Sequence, residues 1–304
     1  MSQPNEGDAT PNPSSQRSTP SSRSSLFSVP TPIKQLFDRF PLHTYPVNEL
    51  PQRAPRHRNE HILYVFASEQ GASSGAPSWN PACLKWQAYL KFSHIPFRIA
   101  PANNHASPSG ALPFLLPSSP DPYKQTQPVP SAKLQRWAMN TRGDKRIEEP
   151  GDARYEAYLS LLDHRIRRAW LYTIYLSPNA PAIAEPLYIL PSSRNAFVRL
   201  TLARALRLAA EQELRKFSPV VNAETLYSQA EEAFRALDML LGDDKWFFGA
   251  KGPGLFDASV FAYTHLLLDE GLGRGWVDTR LRDALVGRER LVKHRERVVG
   301  KYFS

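Results

Sequence analysis

The sequence predicts two unlike halves, an α/β half built on a strand–helix–strand unit and a later half that is all helical. The first prediction rests on two β-rich apolar runs, 61–67 and 95–100, that flank a proline-initiated stretch with helical spacing. The second rests on four long stretches with helical apolar spacing after residue 152. A chain of 304 residues can hold two modest domains. We place them at 60–141 and 152–304, behind a Pro/Ser-rich extension at 1–59.

The α/β half begins with the run HILYVFA at residues 61–67, which has the length and composition of a strand. A Gly/Ser-rich loop is predicted at residues 68–78. A helix then follows, with Asn80 as its cap and Pro81 as its first residue. Its apolar stripe carries Trp79, Cys83, Trp86 and Leu90. The run IPFRIA gives a second strand, and a strand–helix–strand order implies a right-handed parallel crossover.

Three further segments complete this half and lead out of it. GALPFLL, residues 110–116, predicts a short strand that opens on a Leu-Pro pair. PVPSAKLQRWA, residues 128–138, predicts a last helix capped by Ser131. Residues 142–152 are rich in charge and predict a linker.

Three long helices are predicted next, at residues 155–176, 193–217 and 222–241. Ser193 stands at the start of the second helix and Asn222 caps the third. Leu226, Ala230, Ala233, Leu237 and Leu240 share one face of the third helix. A basic segment closes the chain, with a last helix expected in it.

The stretch from Asp243 to Asp269 organises the helical half. A turn rich in Gly and Pro precedes an apolar run too short to span a bilayer, so we expect a buried core helix. With Gly254 as N-cap, Asp257 is the third helical residue, where a carboxylate reaches back to the N-cap N–H. Asp257 is either a catalytic acid or a cap. The cap is favoured because turn, cap and core are complete without chemistry.

The formal net charge is +9, spread along the chain except for a basic tail at residues 274–301. A solvated helix face is the ordinary interpretation of such a tail; contact with an anionic membrane or an acidic partner is the alternative. No nucleic-acid-binding motif accompanies it, so no nucleic-acid partner is expected. No apolar stretch predicts a transmembrane helix, and the N-terminus lacks an apolar signal core. Membrane contact is therefore expected to be peripheral or through a partner.

One cysteine excludes an internal disulfide framework and fits a reducing compartment. No Cys/His cluster has metal-ligand spacing, and no Gly-rich phosphate loop follows a strand. The eight histidines are scattered. We therefore expect neither a metal nor another cofactor.

Residues 26–45 stand apart within the N-terminal extension. They carry the large apolar residues that we assign to partner docking: Phe27, Ile33, Leu36, Phe37 and Phe40. The last four follow the i, i+3, i+4, i+7 spacing of one helix face. A stray amphipathic turn in a tail is the alternative, but a solvated tail has little use for so many large apolar groups.

Residues 60–275 resemble glutathione-transferase-like proteins, with a thioredoxin-like domain followed by an all-helical domain. By this resemblance Pro113 is the cis-proline of the thioredoxin-like fold. The family usually has Ser or Thr where this chain has Gly254, so Asp257 carries more of the cap. FFGAKGPGLFDASVFAY is similar to the metaxin branch. Together with LFDRFPLHTYP, it resembles the smaller metaxin-related subunit of the fungal mitochondrial sorting and assembly machinery.

Catalysis by a transferase would need a thiolate-stabilising group near the N-terminus of the first helix. Cys83 is the candidate, since a helix N-terminus lowers the pKa of a thiol. Its place on the apolar stripe favours a small buried thiol instead. Family enzymes also hold glutathione through an acid or amide just before the serine at 131, where this chain has Pro130. We therefore expect no enzyme activity.

The resemblance implies a non-catalytic subunit on the cytosolic face of the mitochondrial outer membrane. Its implied partners are a membrane-embedded barrel subunit of the Omp85 type, a larger metaxin-like subunit and β-barrel precursor proteins, whose sorting signal it would help receive. Two alternatives remain, a glutathione-dependent transferase and a cytosolic glutathione-transferase-like scaffold.

Overall fold

A computed structural model of the chain describes residues 59–119, 126–273 and 275–304. Its sheet has four strands in the order β2-β1-β3-β4: β1 (His61–Val65), β2 (Phe97–Pro101), β3 (Phe114–Leu116) and β4 (Val129–Pro130). β1 and β2 are parallel, with His61 opposite Phe97. β3 is antiparallel to both β1 and β4. The parallel crossover expected from the sequence is confirmed.

Three helices accompany this sheet: α1 (Glu69–Ser74), α2 (Pro81–Phe92) and α3 (Ser131–Arg142). α1 lies where the sequence predicted only a loop, and that prediction was wrong. The Ser68 Oγ accepts the Gly71 N–H at 3.0 Å, and Gly75 ends the helix at φ 72°, where glycine has no steric penalty. Six residues are too few to show a helical period in the sequence, so only these two signals at its ends mark this helix.

α2 begins as predicted. The Asn80 Oδ1 accepts the Cys83 N–H at 3.2 Å, and Pro81 occupies the first position. α3 begins differently, because Ser131 is its first helical residue rather than its cap. Pro130 precedes it without a side-chain cap and pairs with Phe114 in the sheet. The strand therefore runs directly into the helix and leaves no position for a capping serine.

The later half is helical throughout: α4 (Tyr155–Leu161), α5 (Arg167–Tyr175), α6 (Ala196–Arg215), α7 (Ala223–Leu241), α8 (Leu255–Leu268), α9 (Glu270–Gly273), α10 (Arg280–Val286) and α11 (Glu289–Tyr302). α4 and α5 form the predicted helix at 155–176, joined by a π-helical turn, Leu162–Ile166. Asn195, not Ser193, caps α6 by accepting the Phe197 N–H at 2.9 Å. Ser193 instead accepts the Asn195 N–H at 3.1 Å in the preceding turn.

The sequence did not predict the segment between α5 and α6. Ala180–Ile189 is π-helical and contains two prolines. The buried Asn179 holds its start: its Oδ1 accepts the N–H groups of Val277 and Asp278 at 2.7 and 2.8 Å. This segment therefore lies against the loop before α10.

α8 is the central helix of the core. α2, α10 and α11 pack against it, and all but three of its fourteen side chains are buried. The prediction of a buried core helix is confirmed, and no helix among the described residues is long and apolar enough to cross a bilayer. The domain boundaries at 60–141 and 152–304 stay a prediction.

The basic tail forms α10 and α11. α11 buries Leu291, His294 and Val298, while Arg290, Lys293 and Lys301 are exposed. The basic residues thus lie on the outer face of a helix whose inner face belongs to the core.

Candidate functional site

The N-terminus of α2 carries Cys83, the thiol that the sequence offers as a candidate nucleophile. Cys83 lies there with no exposed surface, and burial raises the pKa of its thiol to about 12. The helix N-terminus favours the thiolate, but loss of hydration opposes it and has the larger effect here. At neutral pH Cys83 is a protonated core residue and a poor nucleophile.

Tyr188, from the π-helical segment, covers the same helix end. Its hydroxyl accepts a long hydrogen bond from the Asn80 Nδ2 at 3.4 Å. Its ring packs edge-on against Phe66, with 5.2 Å between centroids, and lies 6.0 Å from the ring of Tyr175. A ligand approaching Asn80 and Cys83 from this side would have to displace Tyr188.

Pro113 and Pro130 lie at the other two positions of interest. The Leu112–Pro113 peptide bond is cis, and the Leu112 N–H donates to the Asn104 Oδ1 at 3.1 Å. Pro130 offers neither a charge nor a side-chain hydrogen bond to a ligand, as noted from its residue type. Pro113 and Pro130 therefore shape the backbone, and neither offers a ligand a charged or hydrogen-bonding side chain.

Asp257 is the centre of a buried polar cluster. Its Oδ2 accepts the Gly254 N–H at 3.0 Å, which gives the carboxylate half of a capping box. Its Oδ1 accepts the Phe247 N–H at 3.1 Å and lies 3.0 Å from the His294 Nε2. With 2% of its surface exposed, Asp257 joins three elements: the start of α8, the turn before it, and α11.

Aromatic rings close this cluster against water. His294 lies edge-on to Phe247 at 5.3 Å and to Trp246 at 5.8 Å between ring centroids. Because the Asp257 oxygens are already paired with donors of the protein, Asp257 acts as a cap of α8 and as a link from α8 to α11. It leaves no carboxylate oxygen facing an open cleft.

Glu149 completes the cap from a distance. Its two carboxylate oxygens lie 3.1 and 3.2 Å from the Leu255 N, the first N–H of α8, which donates to them. A Cβ added to Gly254 would lie 2.8 Å from the Glu149 Oε2. The linker carboxylate thus occupies the space that a Ser or Thr side chain at the N-cap would need. Burial raises the pKa of Glu149, and the Leu255 N–H opposes that rise.

Sequence reasoning missed Glu149, His294 and Tyr188. Glu149 lies 106 positions before its partner Leu255, so no local pattern connects them. His294 has a usable signal, since it falls three residues after Leu291 and four before Val298 on the apolar stripe of α11. Tyr188 lies in the unpredicted π-helical segment.

The docking residues assigned from the sequence, Phe27, Ile33, Leu36, Phe37 and Phe40, lie outside the described residues. Within the described part of the chain, no group of three His, Cys, Asp or Glu side chains is placed to hold a metal ion.

Three family models match successive parts of the chain. A model described as SAM35, subunit of the SAM complex, matches residues 27–80. The model of the glutathione S-transferase N-terminal domain matches residues 81–180, and that of the C-terminal domain matches residues 230–298. The N-terminal model covers β2, β3 and β4 and continues through α5, and the C-terminal model covers α8, α9 and α10.

Relatives named metaxin-1 match two thirds of the chain. The human protein is 29% identical over 223 residues, which cover 68% of this chain and 45% of the relative. The Macaca fascicularis protein is 28% identical over 223 residues, 68% of this chain and 67% of the relative. The chain therefore spans less than half the length of the human relative.

Solved glutathione transferases are similar in structure at low identity. An enzyme of Ceriporiopsis subvermispora in complex with glutathione gives a TM-score of 0.49 at 15% identity, covering 79% of this chain and 99% of the enzyme. Glutathione S-transferase III in its apo form gives 0.45 at 15% identity, covering 80% and 92%.

Proposed function

We propose that this chain, which is a metaxin-like subunit of the mitochondrial sorting and assembly machinery with a glutathione-transferase-like fold, acts at the outer membrane without catalysis and helps receive β-barrel precursors. The observation that carries the proposal is the SAM35 match at residues 27–80. It precedes the region matched by the transferase models, which begins at residue 81. The assembly-machinery match thus begins before the transferase-like fold and extends into it, since it includes β1 and α1.

The absence of catalysis is supported by the site. Cys83 is buried with a raised thiol pKa, and Tyr188 covers the helix end beside it. We expect calorimetry with millimolar glutathione to detect no binding, and conjugation of a generic electrophile to be no faster than the uncatalysed reaction. Binding together with turnover that Cys83→Ala abolishes would overturn this proposal in favour of a transferase.

Receiving a barrel precursor has a physical purpose. A strand edge exposes unpaired backbone groups, which are costly in lipid and promote aggregation in water. A subunit that holds a terminal strand until the barrel closes reduces both problems. We propose that it does so on the cytosolic face, next to a membrane-embedded Omp85-type barrel subunit and a larger metaxin-like subunit. Digestion of the chain by protease added to intact mitochondria would support this side of the membrane, and protection until the outer membrane is ruptured would contradict it.

Residues 26–45 are proposed as the tether to the barrel subunit. They lie mostly within the SAM35 match, which begins at residue 27. Burying one large side chain contributes about 1.5–3 kcal/mol before ordering costs, so the four anchors from Ile33 to Phe40 contribute about 6–12 kcal/mol. This is of the same order as the backbone entropy of ordering those eight residues, roughly 8–16 kcal/mol.

The experiment compares Phe37→Ser/Phe40→Ser with Met239→Ser/Val277→Ser, a control pair of exposed apolar residues on the folded part. Tagged chains are purified from mitochondria, and co-purified proteins are identified. We expect the first pair to lose the outer-membrane barrel protein at unchanged melting temperature, and the control pair to retain it. A large fall in melting temperature for the first pair would indicate packing within the chain. Recovery of only soluble proteins by the wild type would refute the proposed function itself.

A further inference from the structure

α6 contributes unusually little to the core for its length. Of its 20 residues, only Ala210 and Leu214 are buried. α7, with 19 residues, buries seven. A long helix that gives the core so small a face presents the remainder of its surface to the surroundings.

The outward surface of α6 is apolar at its N-terminal end. Phe197 is 79% exposed and Leu200 is 69% exposed, with Val198 and Leu208 also exposed at 42% and 43%. Phe197 and Leu208 are eleven residues apart, which places them on one helix face. Scattered exposed apolar residues are ordinary, but a group on one short stretch indicates an interaction surface.

The same stretch is cationic. Residues 194–210 contain four arginines, at positions 194, 199, 204 and 207, and no acidic residue. The acids begin at Glu211, which pairs with Arg215, and Glu213, which pairs with Arg167. Among the described residues, no carboxylate forms an ion pair with Arg194, Arg199 or Arg207. The N-terminal turns of α6 therefore combine exposed apolar side chains with net positive charge.

We propose that residues 194–208 lie against the surface of a bilayer that contains anionic lipids, with Phe197 and Leu200 below the headgroups and the arginines among them. A helix with apolar and cationic residues on its free surface binds in the interface plane, through apolar burial and attraction to anionic lipid. An acidic protein partner would satisfy the charges, but it would not by itself call for protruding apolar side chains at the cationic end. This inference rests on the proposed function for the identity of the membrane.

One labelled position reports the contact directly. Leu200→Cys is labelled with an environment-sensitive fluorophore on the full chain. Cys83 stays unlabelled because it is buried and its thiol pKa is raised to about 12. Wild-type chain treated with the same fluorophore shows whether Cys83 takes up any label. Val286→Cys, at a position 54% exposed on α10, is the matched control.

The vesicles contain phosphatidylcholine alone or phosphatidylcholine with roughly one third phosphatidylinositol, a composition that sets the surface charge. We expect a blue shift at residue 200 with the anionic vesicles, reversed by salt, and no shift at residue 286. Neutral vesicles should give a weak response. A shift at both positions, or at neither, would overturn the inference. A shift that grows with protein concentration without vesicles would also overturn it, because it indicates a second copy on this surface.

Charge variants test the location. Arg194→Gln/Arg199→Gln/Arg207→Gln should lower partitioning into anionic vesicles about 100-fold, since each basic residue near such a surface contributes roughly fivefold. The control removes the same charge elsewhere, at exposed arginines of β2, α3 and α7: Arg98→Gln/Arg136→Gln/Arg235→Gln. We expect the control to lower partitioning less than tenfold. Equal losses in the two triple variants would refute a specific role for α6.

The outcome is separable from that of the proposed function. If vesicle binding fails while the barrel protein still co-purifies with the wild-type chain, the lipid contact is wrong and the subunit assignment stands. If the labelled residue 200 stays silent with vesicles but responds when the purified membrane complex is added, its surface meets a protein and the lipid inference is overturned.

Discussion

The cap of α8 can be moved from a distant side chain to a local one, and the free energy of unfolding should report the exchange. Glu149 caps the helix from the linker, while Gly254 leaves room for it. Three variants form the cycle: Glu149→Ala, Gly254→Ser and the double variant. In Glu149→Ala the Leu255 N–H loses its acceptor. In the double variant a serine at position 254 can cap the helix in the usual way.

The magnitudes follow from the contacts. Losing an N-cap acceptor costs about 1 kcal/mol, and the relief of a half-buried carboxylate reduces that cost slightly. Gly254→Ser alone places a Cβ 2.8 Å from the Glu149 Oε2, so the carboxylate must leave the Leu255 N–H. We expect a cost of about 1 kcal/mol from the displaced carboxylate. The same serine should stabilise the Glu149→Ala chain by only about 0.3 kcal/mol, because glycine is itself a tolerated N-cap residue. The coupling between the two sites is then about 1.3 kcal/mol in favour of the double variant.

Urea unfolding followed by circular dichroism measures these differences, with the slope checked for constancy. Each single variant should melt about 2–4 °C below wild type, and the double variant should melt no lower than either single variant. Gly252→Ser is the control partner for Glu149→Ala, because a Cβ there meets no atom within 4 Å. Its effect should add to that of Glu149→Ala within about 0.5 kcal/mol. If the effects of Gly254→Ser and Glu149→Ala also add within about 0.5 kcal/mol, the proposal that Glu149 caps α8 is refuted.

Two further variants probe the buried polar groups. Asp257→Ala removes the acceptor of two backbone N–H groups and the partner of the His294 Nε2, so we expect the free energy of unfolding in urea to fall by about 3–5 kcal/mol. Asp283→Ala removes an exposed acid in the first turn of α10 and should cost at most about 1 kcal/mol. Equal losses in the two variants would contradict the cross-linking role of Asp257. Burial, aided by Arg295, lowers the pKa of His265 from 6.5 to about 4. Between these pH values the unfolded chain takes up the proton before the folded chain does, so the free energy of unfolding of the wild type should fall by about 3 kcal/mol on acidification from pH 6.5 to 4. His265→Gln should lack that part of the fall. Parallel curves of stability against pH for the two chains would contradict this prediction.

Local signals made several helix starts predictable in both halves. Asn222 accepts the Thr225 N–H at 3.0 Å, and Asn80 accepts the Cys83 N–H, as their positions before apolar periods indicate. Both contacts join residues three apart, so the sequence contains them directly. The same holds for the Asp257 contact with Gly254.

Contacts between distant residues were not predictable. Gly254 looks like a weak cap in the sequence. The carboxylate that replaces its missing side chain belongs to Glu149, in a linker that the sequence marks only by its charge. The π-helical segment with Tyr188 has neither helical nor alternating periodicity, and its prolines suggest a loop. These contacts depend on which surfaces meet after folding, and a single sequence does not state that.

The placement of the polar groups separates the substitutions that change stability from those that change binding. Asp257 and His294 lie inside the core and the half-buried Glu149 caps α8 at its edge, so altering them should lower the amount of folded chain and weaken every partner contact together. Phe197, Leu200 and Arg207 lie on the free surface of α6, where substitutions usually change stability by less than about 0.5 kcal/mol. A variant of this second group that loses membrane contact at wild-type melting temperature therefore identifies a docking surface. A variant of the first group that loses the same contact identifies only a less stable fold, whatever binding assay is used.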